Sequence, residues 1–208
     1  MDPVSDKHSN LWKELLEWVK VIVIALIISL PIRYFIAEPF IVNGASMDPA
    51  FSTSQFLIVD RVTYRFNEPK RGDVIVFKYP NDPSTYYIKR IIGLPGETLN
   101  IKNGKVILGK YDSECNTIEN RSSAYSDCII QTLDEPYVSS THASNDTLTV
   151  TLKSTEYFVM GDNRAQSSDS RIWGPLDKSF IIGRPIVRLY PFDTLSLFPG
   201  EHHAYTQK

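Results

Sequence analysis

Tyr86-Tyr87-Ile88-Lys89-Arg90-Ile91-Ile92-Gly93-Leu94-Pro95-Gly96 reads as a β-strand that stops at a turn. Aromatic and β-branched residues fill the run, and two glycines with a proline end it. Alternate side chains of a strand point to opposite faces, so Tyr87, Lys89 and Ile91 share one face while Ile88, Arg90 and Ile92 share the other. Working outward, Phe56-Leu57-Ile58-Val59 and Val74-Ile75-Val76-Phe77 read as strands upstream, the second after the turn Lys70-Arg71-Gly72-Asp73. Downstream, Leu148 to Leu152, Glu156 to Met160 and Ile181 to Leu189 read the same way. Residues 98–110 are predicted as a hairpin about Asn103-Gly104, a pair that tolerates the positive φ of a two-residue turn. The stretch from about 111 to 147 is polar, rich in Ser, Thr, Asn and Asp, and predicts an insertion or small β subdomain. The expected organisation is therefore a tail and anchor over 1–38, a β core over 39–102 plus 154–200, an insertion over 103–153, and a tail over 201–208.

The totals agree with one β-rich core. At 208 residues the chain can bury a single core of ordinary size. Charged residues are 22% and the formal net charge is −2, which excludes the clustered basic excess of a nucleic-acid binder. The 13 prolines and 10 glycines favour many short strands over helices.

One long apolar stretch lies near the N-terminus. Val21 to Ile32 is uncharged for 12 residues, short of the roughly 20 that cross a bilayer. Lys20 and Arg33 at its ends can snorkel, and Trp12, Trp18, Tyr34 and Phe35 supply aromatic belts, so a transmembrane span is predicted from about Leu15 to Ile36. A buried core helix is the alternative. A cleaved secretory signal fits less well, because the run starts late and Ile36-Ala37-Glu38 is a poor cleavage site. Lys7, Lys13 and Lys20 precede the run, whereas only Arg33 follows it before Arg61. That asymmetry predicts a single pass with the N-terminus cytoplasmic and the rest outside. Cys115 and Cys128 would then lie in an oxidising compartment, where a bridge would contribute about 3 kcal/mol; two free thiols are the alternative.

Candidate chemistry begins with Ser46 in Asn43-Gly44-Ala45-Ser46-Met47-Asp48-Pro49, about ten residues past the apolar run. A serine hydroxyl needs a base before it is a good nucleophile. The Gly-x-Ser-x-Gly elbow fails here, since Asp48 stands where the second glycine would. The histidines commend themselves little: His8 precedes the anchor, His142 lies in the polar insertion, and His202 and His203 are in the tail. Lys89 is a further candidate base. Flanked by apolar residues on its face, it would lose charge on burial; a fall of about 3 units costs about 4 kcal/mol and leaves an amine able to take a proton near neutrality. Alternatively, it is a snorkelling or ion-paired strand lysine. A third segment, Gly161-Asp162-Asn163-Arg164-Ala165-Gln166-Ser167-Ser168-Asp169-Ser170-Arg171-Ile172-Trp173-Gly174, reads as a hydrogen-bonded loop able to supply a hydroxyl that steers the lysine, or as a plain surface turn.

Together these segments resemble type I signal peptidase, a membrane-bound serine endopeptidase with a serine–lysine dyad. The likeness rests on the anchor, Gly44–Pro49, Arg71–Phe77, Tyr87–Glu97 and the Gly161–Gly174 loop, all in the family's order. It implies a mainly β fold, a signal-peptidase-like antiparallel β-sheet catalytic domain on a single N-terminal transmembrane helix with a small β/loop insertion. It implies Ser46 as nucleophile, Lys89 as general base and Ser167 as the residue orienting the lysine. Asp169, Arg171 and Gly161 would support the site, and Phe40, Val42, Met47, Tyr87 and Ile88 would wall shallow pockets with an Ala-x-Ala preference. The Ser46 backbone N–H and the Gly44 region would form the oxyanion hole. Some relatives carry a serine at the position of Gly44, so one hydroxyl donor is missing here. The implied partners are signal peptides of exported preproteins and the lipid bilayer of a bacterial cell membrane, with a monomer expected and no nucleic acid, cofactor or metal. The rival readings are a specialised processing peptidase for conjugation or pilus proteins, and an inactive membrane-anchored β binding module.

Overall fold

The computed structural model describes residues 4–31, 36–110 and 131–201. A helix, α1 (Val4–Pro31), leads into twelve strands: β1 (Ala37–Ile41), β2 (Phe56–Asp60), β3 (Val74–Tyr79), β4 (Asp82–Gly93), β5 (Glu97–Lys102), β6 (Lys105–Lys110), β7 (Gln131–Thr132), β8 (Leu148–Thr151), β9 (Glu156–Met160), β10 (Leu176–Asp177), β11 (Ile181–Tyr190) and β12 (Ser196–Leu197). Two single-turn helices interrupt them, α2 (Thr63–Phe66) and α3 (Ser170–Trp173). The large sheet runs in the order β1-β2-β11-β3-β4-β9-β10, with β12 on β11. The second sheet runs β7-β6-β5-β8. All pairings are antiparallel, as expected of a mainly β chain.

The end of β4, from Lys89 to Gly93, and β9 from Tyr157 to Met160 are buried on both faces, which explains the apolar run of β9. Ile91, Tyr157 and Val159 join Ile75, Phe77 and Leu176 in one cluster. Their neighbours Ile92, Phe158 and Met160 point the other way, into a cluster with Leu99, Ile101, Val106 and Leu108 of the second sheet. β4 begins earlier than its apolar residues suggest, because Asp82 already pairs with Tyr79 across a two-residue turn. Proline is accepted at a strand start, so Pro83 does not delay it.

The anchor differs from its expectation. Residues 12–31 of α1 are exposed, Leu15, Ile22, Ile24, Leu26 and Ile28 among them. Yet among the described residues no helix is long and apolar enough to cross a membrane. The reason is charge spacing: within α1, only Val21 to Pro31 follows Lys20, and Glu17 and Glu14 lie about one and two turns earlier. Residues 32–35, which the expected span includes, lie outside the described residues, as do Cys115 and Cys128.

At the β5–β6 turn Asn103 and Gly104 adopt φ of 51° and 74°, the geometry expected of this pair. A Cβ on Gly104 would overlap the Ser144 carbonyl oxygen. Gly104→Ala is therefore expected to cost more than about 1 kcal/mol in urea unfolding, from both backbone strain and this clash. An unchanged midpoint would show that the segment carrying Ser144 yields freely.

Candidate active site

The turn between β1 and β2 carries Ser46 and is closed like a hairpin. The Val42 N–H donates to the Gln55 carbonyl at 2.9 Å and the Ser54 N–H to Val42 at 2.9 Å. Gly44 exchanges hydrogen bonds with the Thr53 hydroxyl at 3.2 Å. Beneath the turn, Met47, Phe51, Val42, Leu57 and Val74 pack together, so apolar burial fixes the polar apex above them.

β4 delivers Lys89 to this apex. Its Nζ donates to Ser46 Oγ at 2.7 Å and to the Ile88 carbonyl at 2.9 Å. The lysine is 4% exposed, and its nitrogen sits 5.2 Å from the centre of the Tyr87 ring. Two residues 43 positions apart are thus in direct contact, at the distance a proton transfer needs.

The Gly161–Gly174 loop covers the pair from one side. A Cβ on Gly161 would overlap both the Ser167 side chain and the Ser46 carbonyl oxygen, so only glycine fits between them. Ser167 is buried, but its hydroxyl makes no hydrogen bond of ordinary geometry, and the expected bond to Lys89 is absent. Its one polar influence is on Asp169, whose carboxyl it helps to lower. Asp169 caps α3 and receives Arg171 Nε and Nη2 at 2.8 Å each, while its Oδ2 accepts the Gly161 N–H at 3.0 Å. The acidic–basic pair thus lies behind the loop.

A groove of about 320 Å³ opens beside Ser46 and Lys89. Phe40, Val42, Tyr87 and Ile88 line it, as does Gly44. Met47 does not wall the groove: at 1% exposed it faces down into the cluster under the turn. Tyr86 and Leu57, whose local sequence carries no sign of such a role, line it as well. Among the described residues, no group of three or more His, Cys, Asp or Glu side chains could hold a metal ion.

Other contributors were hidden because their partners are distant in the chain. Arg90, fully buried, makes a two-pronged pair with Asp162 at 2.8 and 2.6 Å and stacks over the Tyr137 ring at 4.2 Å. Arg164 pairs with Glu135, and Arg171 reaches Asp146. The segment after residue 131 therefore buttresses the loop with two carboxylates.

A family model described as "Signal peptidase, peptidase S26" matches residues 15–190. The signal peptidase I of Bacillus licheniformis is 35% identical over 192 residues, covering 91% of this chain and 96% of that relative. Signal peptidase I S of Bacillus subtilis (strain 168) is 36% identical over 185 residues, covering 88% and 93%. A solved signal peptidase I from Enterococcus faecalis V583 is 27% identical, with a TM-score of 0.42 over 57% of this chain and 97% of that one.

Electrostatics at the site oppose one another. Burial pulls the Lys89 ammonium down to about 8 from an ordinary value of 10.5, against the raising influence of Asp169 and Asp162. For Asp169, burial pushes upward, but the Arg171 hydrogen bond and charge and the Gly161 N–H hold its carboxyl below the usual range. An unfolded chain grips the lysine proton more tightly than the folded one does. Burial of Lys89 therefore costs stability below pH of about 8, by about 3 kcal/mol, and stability returns as pH rises from there toward the unfolded value. Lys89→Met should be more stable than the natural protein at neutral pH, by up to about 3 kcal/mol, with the gap shrinking at alkaline pH. Urea unfolding at two pH values checks this, and a less stable variant at neutral pH contradicts it.

Proposed function

The chain belongs to the signal peptidase family, peptidase S26, and is a hydrolase of the signal peptidase I kind; on that premise we propose that it cleaves signal peptides from preproteins through an acyl-enzyme on Ser46. The observation that carries this reading is the 2.7 Å contact between a buried lysine nitrogen and a serine oxygen at the edge of an apolar groove. In the neutral amine the hydrogen bond reverses: the Ser46 hydroxyl donates to the lone pair of Lys89. Nζ takes the proton as Oγ attacks the scissile carbonyl carbon, and the negative charge gathers on the carbonyl oxygen near the Ser46 N–H. The ammonium then protonates the leaving nitrogen, the C–N bond breaks, and an ester remains on Ser46. Lys89, neutral again, takes a proton from the water that attacks the ester; the C–O bond to Ser46 then breaks, the ammonium returns its proton to Oγ, and the acid product leaves as its carboxylate with its proton lost to solvent.

The groove supports a preference for small side chains of the Ala-x-Ala type. Phe40 and Tyr86 meet edge to face at 5.3 Å, and with Ile88 they crowd the space beside Ser46. β1, at the edge of the large sheet, pairs with β2 on one side and leaves its other edge free among the described strands. An extended peptide can add there through its backbone while short side chains enter the groove. We also propose that α1, with its exposed leucines, isoleucines and valines, holds the enzyme at a bacterial membrane, where such substrates lie. Flotation with lipid vesicles tests that; equal recovery with and without residues 1–36 would refute it.

Ser46→Ala and Lys89→Ala are each expected to lower cleavage of a synthetic signal peptide by about 10³-fold or more. Because only the neutral amine accepts a proton, kcat/KM should rise with pH through about 8 and level off above. Turnover retained by either variant, or a profile already flat below about pH 7, would remove the mechanism. Absence of any cut in the peptide, with the dyad intact, would instead favour the binding-module reading.

A further inference from the structure

Ser46 is gripped by a residue from the far end of the sheet. The Asn163 backbone N–H donates to the Ser46 carbonyl oxygen at 3.1 Å, and Asn163 Nδ2 donates to the Ala45 carbonyl oxygen at 3.1 Å. Its Oδ1 accepts the Gln166 N–H at 3.2 Å. These partners fix the amide's orientation, since a carbonyl can meet only the NH₂ end and an N–H only the oxygen. Asn163 is 2% exposed, so these bonds do not compete with bulk water.

The Ala45 carbonyl and the Ser46 N–H are the two ends of one planar trans peptide and point in opposite directions. Pinning the oxygen therefore aims the hydrogen. Among the described residues nothing accepts the Ser46 N–H, which leaves it available beside the groove. Gly44 has no hydroxyl to share the task, and the space a Cβ would occupy there is empty.

We propose that Asn163 is the positioning residue of the oxyanion hole, aiming and polarising the Ser46 N–H by holding the Ala45 carbonyl from behind. The Asp48 N–H donates to the same oxygen at 3.2 Å, so the peptide is drawn by two donors on one end while its other end faces the developing charge. Hydrogen bonds in such a chain strengthen one another. This rests on Ser46 as nucleophile and adds the group that compensates for the absent hydroxyl at position 44.

The two jobs of the Asn163 side chain can be separated. Asn163→Ser keeps an uncharged oxygen able to cap the turn at Gln166, as Asn163 now does, but cannot reach Ala45. Asn163→Ala loses both. With rates expressed per titrated active site, Asn163→Ser is expected to lower kcat by about 10-fold or more, with KM within about 2-fold and the pH midpoint unmoved. A peptide aldehyde, which forms a tetrahedral adduct on serine, should weaken by the same factor as kcat/KM. Unchanged kcat in Asn163→Ser, or a loss confined to KM, overturns the proposal. So does a fall in kcat with undiminished aldehyde affinity. Ser46→Ala, assayed alongside, separates the two levels: if it turns over, the nucleophile assignment fails, and if it is inert while Asn163→Ser is fully active, only the positioning role fails.

Discussion

Removing one ammonium from water is the constraint around which this protein is arranged. Lys89 reaches Ser46 from the buried half of its strand, and the apolar clusters on either side of β4 are what make its neighbourhood dry. Dryness lowers the proton affinity of the amine, and the same dryness magnifies every nearby charge. Two buried carboxylates, Asp162 and Asp169, would otherwise draw the proton back. Each is tied to its own arginine, Arg90 and Arg171, through two-pronged hydrogen bonds. The lysine therefore sits among ions whose fields are largely cancelled by their partners.

Those arginines also explain why a second sheet is present. Arg164 and Arg171 of the Gly161–Gly174 loop pair with Glu135 and Asp146, and Arg90 lies over the Tyr137 ring, all contributed by residues between β7 and β8. A loop held only by its own bonds would leave Arg164, 3% exposed, with a buried and uncompensated charge. The second sheet supplies the missing anions and buries its own apolar face against Phe158 and Met160. Support for the loop and completion of the core are achieved by the same packing.

Much of this was legible beforehand. Period-two alternation identified the long strands, and Asn103-Gly104 identified its hairpin, because both signals are local. The approach of Ser46 and Lys89 was implied by the family resemblance of their segments, since residue type alone leaves Lys89 open to a snorkelling or ion-paired role. What stayed hidden is long-range. Nothing near Asn163 says that it will meet Ala45, 118 positions away, and nothing near Met47 says that it turns down rather than sideways into the groove. The Ser167 hydroxyl, expected on the lysine, instead acts on Asp169, and Gly161 stands between the Ser167 side chain and the Ser46 carbonyl. The short strands β7, β10 and β12 escaped notice because two residues carry no periodicity.

The chain's order of emergence follows from where these partners lie. Ser46 and Lys89 are both made within the first ninety residues, yet the grip on Ser46 comes from Asn163 and a carbonyl that clamps Arg90 belongs to Gly200. A growing polypeptide on the ribosome holds the hydroxyl and the amine long before it owns the parts that align them. Alignment of the pair therefore waits on segments made at least seventy residues after the second of its two members.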